Sequence, residues 1–277
     1  MAIILDGKAL AEQTRQRIAQ EVTTLSRQPG LAVILVGDDP ASRLYVSNKE
    51  KDCAQCGFKS FEHRMAADTT EAELLALIAE LNTNDDVDGI LVQLPLPKHL
   101  NEEMVIQSIA PEKDVDAFHP YNVGRMSQGK PVFLPCTPAG VMAILKAYDI
   151  DVAGKDCVVI GRSNIVGKPM GMLLTQANGT VTICHSRTPN LAEYTKRADI
   201  LVAAVGREGL VRADMVKEGA VVIDVAMNRN AAGKFCGDVD FEAVKAVASH
   251  ITPVPGGVGP MTRALLLENI LTAAKRK

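Results

Sequence analysis

Short apolar runs alternate with stretches of helical period along most of the chain. Gly7–Ser26 reads as a helix that stops at the Pro29-Gly30 break, and the apolar run Leu31–Val36 reads as a strand. The strand ends in Gly37-Asp38-Asp39-Pro40, where Asp39 is a good N-cap and Pro40 a good first-turn residue, so a helix should span 40–56. Lys59–Met65 can form a second strand. Thr69–Asn82 has a helical apolar pattern through Leu74, Leu75, Leu77, Ile78 and Leu81, and Gly89–Leu94 reads as a buried strand.

The second half repeats this logic, with strands expected at Cys157–Ile160, Val181–Cys184, Ile200–Val205 and Val221–Val225, each but the last followed by a helical stretch. Residues 119–136 carry Pro, Gly and Asn without clear periodicity and suit a domain boundary. The last stretch, Pro260–Lys277, reads as a strongly amphipathic helix that could dock on either half. The expected fold class is α/β: two α/β domains, 1–119 and 120–277, around a cleft. The second domain should be a Rossmann-like doubly wound parallel sheet.

A length of 277 residues accommodates two such domains. Apolar residues make up 47% and charged residues 23%, and a net charge of -3 leaves no basic stripe for nucleic acid. No apolar run approaches the roughly 20 residues that span a bilayer. The N-terminus reaches Asp6 and Gly7 too soon for a signal peptide, so a cytoplasmic location is expected. The six cysteines are scattered. Only Cys53 and Cys56 form a C-x-x-C, inside a helical pattern, and they read as buried thiols. The five histidines lack ligand spacing, and no metal is expected.

Val158-Val159-Ile160 runs straight into Gly161-Arg162-Ser163-Asn164-Ile165-Val166-Gly167-Lys168-Pro169. Strand, glycine turn and helix are the setting in which a dinucleotide pyrophosphate meets backbone N–H groups. Serine replaces the second glycine of G-x-G-x-x-G and the last glycine is displaced by one, so a plain β–α turn of small residues also fits. The next strand ends in His185-Ser186-Arg187-Thr188 with no acid to accept from a ribose 2′-OH. A hydroxyl and a cation there, joined by Arg162, would suit a 2′-phosphate and hence NADP over NAD. Solvated arginines would look the same.

Ser42, Tyr45 and Lys49 are three and four residues apart on one face of the helix after Pro40. A Tyr and a Lys one turn apart can divide positioning and proton transfer, although an exposed Lys beside a half-buried Tyr has the same spacing. Gln93 is a polar amide near the end of a buried strand, where it needs partners within the structure or from a ligand. Asp116, just before the expected boundary, could accept from an aminopyrimidine edge or cap a turn.

Together these segments resemble the bifunctional methylenetetrahydrofolate dehydrogenase/cyclohydrolase family, the bacterial FolD enzymes. The resemblance is carried by Ser42–Lys49, Asp88–Pro97, Lys113–Asp116, Pro135–Pro138, Gly161–Pro169 and Pro253–Thr262, in the family's order over nearly the whole chain. It implies that Lys49 is the catalytic lysine, that Tyr45 shapes the folate site, that Gln93 contacts Lys49 and that Asp116 holds the pterin. It also implies that Gly161, Arg162, Ser163, Ile165, Ser186 and Met227 bind NADP and that Pro255, Gly256 and Gly257 close the folate site. Oxidation of 5,10-methylenetetrahydrofolate by NADP+, hydrolysis to 10-formyltetrahydrofolate and a homodimer are implied as well. A dehydrogenase that has lost the hydrolytic step, a non-catalytic NADP-binding protein and a shikimate-type dehydrogenase are the alternatives. Two segments depart from the pattern: Ala117 stands where the family usually has Gly, and Ala226-Met227 where bacterial relatives commonly have Gly-Ile.

Overall fold

A computed structural model describes residues 2–276, apart from the side chains of Pro40, Ala41 and Leu44. The first half runs β1 (Ile3–Ile4), α1 (Gly7–Val22), β2 (Gly30–Val36), α2 (Pro40–Gln55), β3 (Lys59–Met65), α3 (Glu71–Thr83), β4 (Gly89–Val92), α4 (Glu102–Ser108), α5 (Pro120–Ser127) and α6 (Cys136–Ala147). There follow β5 (Asp156–Ile160), α7 (Gly167–Gln176), β6 (Thr180–Cys184), α8 (Leu191–Thr195), β7 (Ile200–Ala203) and β8 (Val221–Asp224). The chain ends with β9 (Asn228–Arg229), β10 (Phe235–Cys236), α9 (Phe241–Lys245), β11 (His250–Ile251) and α10 (Val258–Ala274). Among the described residues no helix is long and apolar enough to cross a membrane.

Two compact units result: Gln13–Leu134 with Arg263–Lys277, and Met1–Glu12 with Pro135–Thr262. The divide lies at Leu134–Pro135, later than the boundary expected at 119, because side chains tie α5 to what precedes it. Asn122 donates to the Asp114 carboxylate and to the Pro111 carbonyl, both at 2.8 Å.

In the unit built on Gln13–Leu134, β2 lies between β3 and β4 in a parallel sheet. Every residue of β2 and of β4 is buried, as an interior parallel strand requires. Ala32, Ile34 and Val36 pack with Ile90 and Val92, with Leu74, Ile78 and Leu81 of α3 and with Val105 of α4. Each large aliphatic side chain buried this way contributes about 1.5–3 kcal/mol. The start of α3 is fixed by a reciprocal capping box between Thr70 and Glu73. Helix α1 stops at Val22, short of the expected Ser26. The hydroxyls of Thr23 and Thr24 turn back to donate to the carbonyls of Gln20 and Glu21, both at 2.7 Å.

The other unit holds a six-stranded parallel sheet in the order β1-β11-β8-β7-β5-β6. Strand order reverses about β5, which has β6 on one side and β7 on the other, as in a doubly wound sheet. Val158, Ile160, Leu201, Ala203 and Val222 form one core with Val244 of α9. The edge strand β1 pairs Ile3 with His250 and Ile4 with Ile251, which puts the first residues of the chain in this unit.

The last helix departs from the amphipathic pattern expected of it: from Pro260 through Ala274 no residue is fully exposed. Its Asn269 is buried and donates to the carbonyls of Val115 at 2.7 Å and Leu134 at 2.9 Å. Asn269→Ala leaves both carbonyls without this donor and should destabilise the unit by about 2–3 kcal/mol. The midpoint of urea unfolding, compared with wild type, checks this.

Candidate active site

Helix α2 begins where β2 ends, with Asp39 accepting from the Ser42 N–H at 2.7 Å. That cap sets the rotation of the helix, and with it the face bearing Tyr45 and Lys49. Tyr45 is 39% exposed. Partial burial raises its phenol pKa, and the charge of Arg263 offsets part of the rise. Lys49 is half-buried and its Nζ donates to Gln93 Oε1 at 3.0 Å. Gln93 lies one residue past β4, its N–H still bonded to the Ile34 carbonyl at 2.9 Å. Its Nε2 donates to the Leu94 carbonyl at 2.7 Å, so the amide oxygen is the end turned to the lysine. The lysine nitrogen thus meets the oxygen end of an amide dipole, which orients it.

Asp116 is half-buried in a turn whose organiser is its neighbour, Asp114. The Asp114 carboxylate accepts from the N–H groups of Phe118 at 3.2 Å and His119 at 2.8 Å, besides Asn122. Burial raises the Asp114 pKa against the lowering effect of these bonds. Ala117 follows in the left-handed region, with φ 59°. Cys53 and Cys56 of α2 are buried, and burial pushes the Cys53 thiol up to about 12, far from a reactive thiolate.

In the other unit, β5 runs into Gly161, which adopts φ 127°. A β-carbon on Gly161 would collide with the Ala204 carbonyl, and one on Gly167 with the Gly161 carbonyl. Both positions therefore exclude any side chain, and the displaced glycine noted in the motif is what lets α7 start against the strand end. Ser163 Oγ accepts from the N–H groups of Val166 at 3.2 Å and Gly167 at 3.3 Å, holding the turn open. Arg162, Ser163 and Ile165 are exposed there, as are Ser186 and Arg187 at the end of β6. Neither strand end carries an acid that would repel a phosphate. The glycine cradle, the helix start and the nearby cations fit a phosphorylated dinucleotide.

Ile165, Val205 and Met227 are 40%, 41% and 44% exposed at the ends of β5, β7 and β8. Such apolar exposure at strand ends is what a flat ligand would cover. Val205 escaped attention in the sequence because it closes the apolar run 200–205, although the paired strand ends at Ala203. The Pro253–Gly257 segment is anchored to the start of α1, where the Lys8 N–H donates to the Gly256 carbonyl at 2.9 Å. Gly257 is buried in that contact, while Pro255 is exposed.

Residues 5–116 match the model of the tetrahydrofolate dehydrogenase/cyclohydrolase catalytic domain, and residues 135–277 match that of the NAD(P)-binding domain of the same family. The chain is 59% identical to the bifunctional protein FolD of Magnetococcus marinus, over all of this chain and 98% of that protein. The crystal structure of the bifunctional FolD enzyme of Campylobacter jejuni superposes with TM-score 0.98 at 52% identity, covering 100% of this chain and 99% of that one. The dehydrogenase-cyclohydrolase of Trypanosoma brucei, complexed with NADP and an inhibitor, superposes with TM-score 0.95 at 39% identity, covering 99% and 98%. The chain belongs to the tetrahydrofolate dehydrogenase/cyclohydrolase family.

The left-handed backbone at Ala117 carries a physical cost. A β-carbon in the left-handed region is strained by roughly 1–2 kcal/mol, partly offset by the lower flexibility of alanine when unfolded. Ala117→Gly should therefore stabilise the protein by about 0.5–1 kcal/mol, measured as a higher urea midpoint. Gly167→Ala should cost about 2–3 kcal/mol in the same measurement, because strand end and helix start must separate.

Proposed function

We propose that this chain is a bifunctional enzyme of one-carbon metabolism. It oxidises 5,10-methylenetetrahydrofolate to the 5,10-methenyl form with NADP+ and hydrolyses that product to 10-formyltetrahydrofolate. Full-length relatedness to bifunctional members favours both activities over a monofunctional dehydrogenase or a non-catalytic binder. The observation that carries the residue roles is the Lys49–Gln93 hydrogen bond on the face shared with Tyr45.

NADP+, when bound, supplies the hydride acceptor. Gly161, Ser163 and the start of α7 would hold its pyrophosphate, and Arg162 with Ser186 its 2′-phosphate. Ile165 and Met227 would flank its apolar faces. Asp116 would accept from the amino edge of the pterin, and Tyr45 would lie against the folate. In this step the side chains mainly orient the reacting carbon. In the second step water adds to the methenyl carbon, and Lys49 takes and returns the protons that accompany attack and ring opening. Gln93 keeps the lysine nitrogen aimed at that carbon.

The proposal extends to a homodimer and to a cytoplasmic location. β3 forms an edge of its sheet, pairing with β2 on one side, which leaves an edge that a second copy could use.

Lys49→Met should lower cyclohydrolase turnover about 10²–10⁴-fold while dehydrogenase turnover falls far less. Full cyclohydrolase turnover in the variant would refute the role of Lys49. Gln93→Glu should leave the lysine in place but hold it protonated. Cyclohydrolase activity should then drop at neutral pH and recover partly as pH rises. Arg162→Ala should lower kcat/KM with NADP+ about 10–100-fold and leave that with NAD+ nearly unchanged.

A further inference from the structure

Asp238, between β10 and α9, is completely buried, yet every polar contact of its carboxylate points toward the strand ends of the dinucleotide unit. Oδ2 accepts from the N–H groups of Val205 at 2.7 Å and Gly206 at 3.2 Å. Oδ1 accepts from the Arg207 N–H at 2.6 Å and from Asn228 Nδ2 at 3.1 Å. One side chain therefore holds three consecutive backbone donors of the loop after β7, together with the residue that follows Met227. The loop borders the phosphate turn: Val205 Cγ1 lies 3.5 Å from where a Gly161 β-carbon would stand.

Asp238 is held in turn by a second buried acid. Asp224, the last residue of β8, accepts from the N–H groups of Asp238 at 3.0 Å and Val239 at 2.9 Å. Its own N–H donates to Thr252 Oγ1 at 2.7 Å, immediately before the Pro253–Gly257 segment. Burial pushes the Asp224 carboxyl up to about 7, against the N–H bonds that lower it, and the adjacent Asp238 charge adds to the rise. Two acids buried side by side are costly, and a purely apolar filling would hold the core as well.

The sheet order says which part of the dinucleotide this loop meets. The phosphate turn follows β5, and the end of β6 carries the groups suited to the 2′-phosphate side. The nicotinamide side then lies over β7 and β8, where Val205 and Met227 are exposed. We propose that Asp238 is a positioning residue for the dehydrogenase step, bonding the loop after β7 to Asn228 and so setting Val205 and Met227 as the wall for the nicotinamide half of the cofactor. This rests on the dehydrogenase/cyclohydrolase reading above.

Asp238→Asn is nearly isosteric, but both carboxylate oxygens receive donors, so either orientation of the amide turns an N–H₂ onto an N–H. The two reactions of one protein separate positioning from folding, since hydrolysis of the methenyl substrate can be assayed without nucleotide. In Asp238→Asn the KM for NADP+ should rise about 10–100-fold, with nucleotide-free cyclohydrolase kcat/KM within about twofold of wild type. Asn228→Ala removes one of the four donors and should show the same split at about 2–5-fold, which keeps the test decisive if Asp238→Asn does not fold. An unchanged KM for NADP+ in the variants, or a parallel loss of both activities, overturns the proposal. A wild-type protein lacking either activity counts against the functional reading instead. Binding of NADPH to the same variants, followed by its fluorescence, then decides the role of Asp238: weaker binding supports it and equal binding overturns it.

Discussion

The proposed chemistry depends on a lysine whose nitrogen is held by an amide. Lys49 donates to an amide oxygen 3.0 Å away, and the amide is kept from flipping by its own bond to the Leu94 carbonyl. A carboxylate in that place would lower the energy of the ammonium and make its proton hard to release. An apolar residue would remove that hydrogen bond from the half-buried lysine. The amide does neither. Its position follows from β4 ending at Val92, with Gln93 still bonded to β2 through its backbone. A buried parallel strand thus delivers a polar side chain to the end where helix α2 begins.

In the dinucleotide unit the controlling constraint is backbone approach. Gly161 and Gly167 let a strand end and a helix start touch through their main chains, which presents N–H groups to an anion. Side chains then take over from the backbone. Ser163 braces the turn, and Asp238 gathers the next loop by accepting from Val205, Gly206 and Arg207. Loops at the ends of parallel strands have few neighbours of their own, so a buried carboxylate with several backbone donors is an effective clamp. Strain is tolerated in the same spirit at Ala117, whose left-handed backbone is held because Asp114 bonds the two N–H groups that follow it.

Much of the molecule was legible because the signals were local. Strands β2, β4, β5, β7 and β8 are apolar runs bounded by turn residues, and their burial on both faces is what a parallel sheet demands. The Asp39-Pro40 start of α2 and the Thr70 box of α3 are steric and hydrogen-bonding instructions written within four residues. The glycine turn, the helical spacing of Tyr45 and Lys49 and the lack of an acid after β6 were equally plain, so fold class, family and reaction could be reasoned from the chain alone. The two-residue strands β1, β9, β10 and β11 have no period to detect.

What the sequence by itself determined is which segments form strands and helices, which turn suits an anion and which side chains suit the proposed chemistry, because each depends on neighbours a few residues away. Only the tertiary structure decided the rest. It turned the Gln93 oxygen toward Lys49 across 44 positions of chain and assigned the first strand to a sheet made mostly of the second half. It also left no residue of the last helix fully exposed from Pro260 through Ala274, and brought Asp238 under a loop more than thirty residues earlier. Each of these is a contact whose energy exists only once distant segments have been packed together, and no local pattern records it.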